Sequence, residues 1–200
     1  MQVFFTHSPN LITLRYLVAG LGNIGDEYSG TRHNIGFSVI DHIVQRENLS
    51  FRSDRLAFVS EWRHKGRFIV LIKPTTFMNL SGKAINYWLQ KENISLENLI
   101  VLVDDLAIPF GSIRIKIKGS DGGHNGLANI NETLKGLPYN RIRFGIGSEY
   151  AKGKQVDYVL GKWTEEESKL LPDRIEKVYE AVKSFVSIGI DRTMNLYNNK

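Results

Sequence analysis

Apolar and polar positions repeat with two periods along this chain, and the switches between them mark its elements. Residues 16–19, YLVA, form a short apolar run closed by Gly20, as a buried strand does. A glycine-rich stretch follows. Apolar residues then recur at Phe37, Ile40, Ile43 and Val44, which is helical spacing. Runs at 56–62 and 68–73 flank His64-Lys65-Gly66-Arg67 and predict a β-hairpin, with Pro74 ending its second strand. A helix is expected at about 83–91. Residues 99–103, LIVLV, are continuously apolar and suit a central strand covered on both faces.

Over 113–118 the pattern alternates strictly, with Ile113, Ile115 and Ile117 on one face and Arg114, Lys116 and Lys118 on the other. A helix is read at 127–134, a strand at 142–146 ending at Gly147, and a short segment of uncertain type at 155–160. Thr164 has the character of an N-cap, with acids in the following turn. The last helix buries Ile175, Val178, Val182, Phe185 and Val186 and stops at Gly189. Strands alternate with helices throughout. The expectation is therefore an α/β chain, one domain with a mixed, twisted β-sheet and helices on both faces.

Composition sharpens this only a little. The 200 residues are 42% hydrophobic and 24% charged, ordinary for one domain with a proper core. There is no cysteine, so disulfides, thiolate nucleophiles and cysteine-bound metals are excluded. No apolar run approaches the roughly 18 residues of a membrane helix. Residues 1–14 lack a basic residue and a long apolar core, so they read as an N-terminal extension to a domain over 15–200, not as a signal peptide. The formal net charge of +5 is mild, and its placement matters more than its size.

Candidate chemistry gathers in loops at strand ends. Gly20–Gly25 reads GLGNIG, which fits G-x-G-x-x-G literally. The dinucleotide motif needs a helix to open at those glycines, whereas residues 26–31 are turn-like here. The region where its acidic ribose partner belongs looks helical. Four polar clusters remain: Asn23 with His33-Asn34, Asn79, Asp104, and His124-Asn125. None of the five histidines has short metal-ligand spacing, and no H-E-x-x-H, G-x-S-x-G or Walker loop is present. What remains is a histidine acting on water, with Asp104 as the carboxylate that orients it and asparagine amides as donors to an oxyanion. Blander readings stand beside these. Asn79 would also serve as a helix cap, Asp104-Asp105 as a turn or an Mg²⁺ site, and the basic strand face as a solvated surface.

Taken together, GLGNIG, TRHNIG, KPTTFMNLSGKA, LVDDLAIPFG, GGHNGL, RIRFGIG and VDYVLGK resemble, in family order, the bacterial-type peptidyl-tRNA hydrolases over roughly 16–163. The resemblance implies a cytoplasmic monomer that uses water, with no metal and no cofactor, to cleave the ester between a peptide and the 3′-terminal ribose of tRNA. It implies His33 as general base and Asp104 as its orienting acid. Asn23, Tyr28, Phe77, Asn79 and Asn125 would line the substrate groove, Asn23 helping to tell peptidyl-tRNA from aminoacyl-tRNA. Lys116 and Arg143 would hold phosphates of the acceptor end. The chain departs from the common pattern at Ile24, Asp121 and Trp163, and Ala107 leaves out an acid. Two other classes compete: a dinucleotide-dependent oxidoreductase built on the GLGNIG loop, and a non-catalytic RNA-binding module built on Arg114, Lys116 and Arg143.

Overall fold

The computed structural model describes residues 13–198. All but the last two residues of the expected 1–14 extension lie outside them. Among the described residues, seven strands form one sheet in the order β2-β3-β4-β1-β5-β7-β6. They are β1 (Arg15–Gly20), β2 (Arg52–Asp54), β3 (Ala57–His64), β4 (Arg67–Pro74), β5 (Leu99–Asp105), β6 (Ile113–Lys116) and β7 (Asn140–Gly145). The central four, β4, β1, β5 and β7, run parallel, while β2, β3 and β6 are antiparallel to their neighbours. The helices are α1 (Ile35–Arg46), α2 (Ser81–Lys91), α3 (Asn125–Thr133), α4 (Gln155–Val159), α5 (Glu165–Ile188) and α6 (Ile190–Tyr197).

The sheet is covered on both faces, which is why its middle strands are apolar without alternation. Tyr16, Val18, Ile100 and Leu102 pack on one side with Ile40 of α1 and Val182 and Phe185 of α5. Leu17, Ala19, Val101 and Val103 pack on the other with Ile85 and Trp88 of α2 and Ile130 of α3. Each fully buried valine, leucine, isoleucine or phenylalanine among them contributes about 1.5–3 kcal/mol of transfer free energy. Thr164 caps α5 in a capping box with Glu167, and Gly189, at φ 84°, ends it.

Some boundaries differ from the sequence expectation. The hairpin strands run on to His64 and Arg67, so the turn is only Lys65-Gly66, both at positive φ (47° and 75°). That is the two-residue turn whose twist suits a hairpin. The 113–118 strand stops at Lys116, and the 155–160 segment is a five-residue helix. The edge strand β2 is too short for a periodic signal, and helix α6, with Ile190, Met194 and Tyr197 at helical spacing against the core, lies beyond the Gly189 read as a stop.

Two glycines decide where the functional loops sit. A Cβ on Gly20 would lie 2.2 Å from the carbonyl oxygen of Gly36. A Cβ on Gly36 would lie 2.4 Å from Leu21 N and 2.5 Å from Leu102 O. The first turn of α1 therefore touches the backbone at the carboxyl ends of β1 and β5. Gly36→Ala is expected to lower stability by about 1–3 kcal/mol or more, because the clash is with backbone that cannot rotate away. Denaturant unfolding checks this, and an unchanged midpoint would contradict the packing described.

Candidate active site

The parallel strands β1, β4 and β5 end side by side, and the polar clusters read in the sequence meet there, as expected for open α/β sheets. Asn23 lies in the loop after β1. Phe77, Met78 and Asn79 follow β4, and Asp104 is the last residue but one of β5. His33 sits in a 3₁₀ turn, Arg32–Asn34, that leads directly into α1. Together with His124, Asn125 and residues of α4, these side chains line a cleft of ≈ 450 Å³.

Asp104 is the buried centre of the site, 5% exposed. Its Oδ1 lies 2.9 Å from His33 Nδ1 and 3.0 Å from His124 Nε2. A carboxylate only accepts, so both ring nitrogens donate to it. Burial alone would raise the Asp104 pKa, but the positive charge that His124 and His33 take on in acid, with the hydrogen bonds both rings give it, outweighs burial and holds the carboxyl well below its usual range. The acid therefore stays ionised between two imidazoles whose ring centroids are 4.8 Å apart.

The two histidines are fixed in opposite tautomers. His124 is the N-cap of α3, and its Nδ1 accepts the backbone N–H of Gly126 at 3.1 Å and of Leu127 at 3.3 Å. A nitrogen accepting two N–H groups carries no proton, so the proton is on Nε2 and points at Asp104. His33 has its proton on Nδ1, also toward Asp104, which leaves its Nε2 as an unprotonated acceptor on the cleft side. That is the arrangement a general base requires. His124 was legible as a polar residue in a glycine-rich loop, but its pairing with Asp104 was missed. The clue in the sequence is its place immediately before a helix.

His33, Asp104 and His124 also offer three potential metal-ligand atoms within 4.8 Å of one another, although their sequence spacing announces no such set. The hydrogen bonds argue against ligation. His124 Nε2 carries the proton that its capping role forces onto it, and a metal-bound nitrogen cannot.

Asn23 is held just as closely. Its backbone N–H donates to Asn34 Oδ1 and its carbonyl accepts from Asn34 Nδ2, both at 2.9 Å. Its side-chain Oδ1 accepts the Met78 N–H at 3.0 Å, which leaves the amide NH₂ as its free end in the cleft. Asn79 does not cap α2: Leu80 occupies that position, without a side-chain cap bond. Asn79, Asn125 and the 59%-exposed Phe77 line the cleft.

Three further expected residues take these places. Tyr28, in the 3₁₀ turn Asp26–Tyr28, is half-buried and not among the residues lining the cleft. Lys116 is exposed on edge strand β6 beside Arg114, outside the cleft. Arg143 lines the cleft but turns inward. It pairs with Asp105 at 2.9 Å and donates to the carbonyls of Ser120 at 2.7 Å and Asp121 at 3.4 Å. It thereby ties the glycine-rich loop before His124 to the end of β5. The GLGNIG loop opens no helix, and its Gly20 and Gly22 are pressed against α1, where a Cβ on Gly22 would lie 2.6 Å from the Phe37 ring.

The family model described as Peptidyl-tRNA hydrolase matches residues 17–200. The chain is 52% identical to a peptidyl-tRNA hydrolase of Cytophaga hutchinsonii and 54% identical to one of Parabacteroides distasonis. Each alignment covers 94% of this chain and 100% of the relative. The crystal structure of the peptidyl-tRNA hydrolase of Acinetobacter baumannii superposes with a TM-score of 0.86 at 32% identity, covering 92% of this chain and 94% of that one.

Asp104 supplies a test of the two-donor geometry. His124→Asn keeps an N-capping residue on α3 but withdraws the donor that most lowers the Asp104 pKa. The Asp104 carboxyl is expected to titrate higher in the variant than in the native protein, followed by carbon-13 NMR across acid pH. An unchanged titration would contradict the shared-oxygen geometry.

Proposed function

The chain belongs to the peptidyl-tRNA hydrolase family, an enzyme that hydrolyses peptidyl-tRNA, and we propose that His33 and Asp104 carry the chemistry. The observation that carries this reading is the hydrogen bond from His33 Nδ1 to Asp104, which leaves His33 Nε2 free as a base on the cleft. His33 Nε2 takes a proton from water, and the resulting hydroxide attacks the ester carbonyl carbon. The ionised Asp104 stabilises the imidazolium so formed. The tetrahedral oxyanion receives N–H donors from asparagine amides. Asn79 is one candidate, and Asn23, whose NH₂ is its free end, is a second. As the carbon–oxygen bond to the ribose breaks, His33 returns its proton to the leaving 3′-oxygen. The products are a peptide carboxylate and a tRNA with a free terminal hydroxyl.

Every step is supplied by side chains and water, so the reaction needs neither metal nor cofactor. Phe77 and Asn125 hold the acyl end in the cleft, and Asn23 contributes to the choice between peptidyl and aminoacyl substrates. Tyr28, on the turn between Asn23 and His33, acts from outside the cleft wall. Lys116 with Arg114 meets phosphates of the acceptor end through contacts that ignore base sequence. The charge of Arg143 is already met by Asp105, so its part is to hold the loop before His124. The enzyme acts as a cytoplasmic monomer in this reading. No described helix is long and apolar enough to cross a membrane.

Turnover of an N-blocked aminoacyl-tRNA, with EDTA present and unblocked aminoacyl-tRNA as control, tests the assignment. His33→Ala is expected to lose about 10²–10⁴-fold in turnover while binding tRNA as before. Asp104→Asn can keep an oxygen in the place of Oδ1, so it loses the charge more than the geometry. It should lower turnover with little change in binding. Native turnover in either variant would remove that residue from its assigned role.

A further inference from the structure

Arg32 is the residue immediately before the proposed base, yet the mechanism above does not use it. It is a buried cation, 6% exposed, in the same 3₁₀ turn as His33. The partners of its guanidinium and of its backbone N–H all lie in one distant segment. Its backbone N–H donates to the Gly161 carbonyl at 3.0 Å. Nη1 donates to the Lys162 carbonyl at 2.7 Å, and Nη2 pairs with Glu167 Oε2 at 2.7 Å. The guanidinium lies 4.3 Å from the ring centre of Tyr158 and 5.4 Å from that of Trp163. Thr31, beside it, forms a β-bridge with Lys162.

The other side of that segment is a wall of the cleft. Gln155, Val156, Val159 and Leu160 line the cavity that holds His33. A helix of five residues does not hold itself in place, so its position is set by what it is fastened to. Beside the Thr31–Lys162 bridge and the ring contacts of Tyr158 and Trp163 with Tyr150, Phe110 and Phe144, two sets of side-chain hydrogen bonds fasten it. Tyr158 Oη donates to the Ile146 carbonyl at 2.6 Å, and Arg32 takes the stretch from Tyr158 to Glu167. Glu167 Oε2 also accepts the Thr164 N–H at 2.7 Å, so one oxygen joins Arg32 to the start of α5. At Gly161 a Cβ would lie 3.3 Å from Arg32 Nη1, which shows how closely the segment is drawn in.

We infer that Arg32 is a positioning residue: its fork and ring stack set the α4 wall at a fixed distance from His33, so that the substrate's acyl group is held between wall and base. The inference rests on the function proposed above and adds to it. A lysine cannot replace this residue fully, since two separately directed N–H groups and a planar stacking face belong to arginine.

The test uses Arg32→Gln, Arg32→Lys and Glu167→Gln, which keeps a capping-box partner at that position while removing the charge. Each is assayed on N-blocked aminoacyl-tRNA well below its own unfolding temperature, with free tRNA affinity measured alongside. Positioning by the wall predicts a KM raised about 10- to 100-fold in Arg32→Gln, and less in the other two. It also predicts a smaller change in kcat and unchanged affinity for free tRNA. Native KM in the folded variants, or a loss confined to kcat, would overturn the inference. Should Arg32→Gln not fold, the other two variants decide on the same criterion. Amide hydrogen exchange over 155–163 gives a readout apart from turnover. It must quicken in the variants relative to the native protein, and unchanged exchange would overturn the inference even if the native chain proved inactive on this substrate. That inactivity would itself count against the proposed function alone.

Discussion

One carboxylate oxygen, Asp104 Oδ1, receives a proton donor from each of two imidazoles, and the chemistry of the cleft depends on that sharing. A buried acid between two histidines could settle into several protonation patterns. Only one survives here, because α3 needs an acceptor at its N-terminus and takes His124 Nδ1 for it. The cap of a nine-residue helix thus decides the tautomer of one histidine. The same acid fixes the other. A requirement of secondary structure, that the first N–H groups of a helix find partners, is converted into a free nitrogen facing the cleft.

The fold supplies the distances for this arrangement. Three parallel strands end together, and the chain leaves each of them into a loop that carries part of the site. Gly20 and Gly36 let α1 approach the sheet backbone, which places the turn containing His33 over the end of β5. The reciprocal amide pair between Asn23 and Asn34 locks the loop after β1 to that same turn. Arg143 and Asp105 do the equivalent on the far side, holding the loop that presents His124. Arg32 extends the same logic to the outer wall. Polar side chains bond to one another and to nearby backbone groups, and the remaining ends of His33 and Asn23 line the cavity.

Much of this was legible in the sequence, for a physical reason. Strands buried on both faces must be continuously apolar, so β1 and β5 announced themselves. The amphipathic stripes of α1 and α5 did the same at helical period. Polar residues at the ends of such runs, His33, Asn23 and Asp104, were then conspicuous. The residues that escaped act through partners far away in the chain. The Asp104 contact of His124 spans 20 residues, and the ties of Arg32 span more than 120. No local pattern encodes either. Lys116 and Arg143 look alike as basic residues on strands, but only the fold shows that one is open and the other is paired with Asp105. Helix α6 was hidden because Gly189 is a stop signal that can also be a hinge into a new helix.

The central claim is that His33 carries its proton on Nδ1 and keeps Nε2 free. Nitrogen-15 NMR of the imidazoles, in protein labelled at histidine and held where both rings are neutral, reads this directly. The account predicts a protonated Nδ1 on His33 together with a protonated Nε2 on His124. A proton on Nε2 of His33 would contradict it, because the ring would then have no unprotonated nitrogen with which to accept a proton from water.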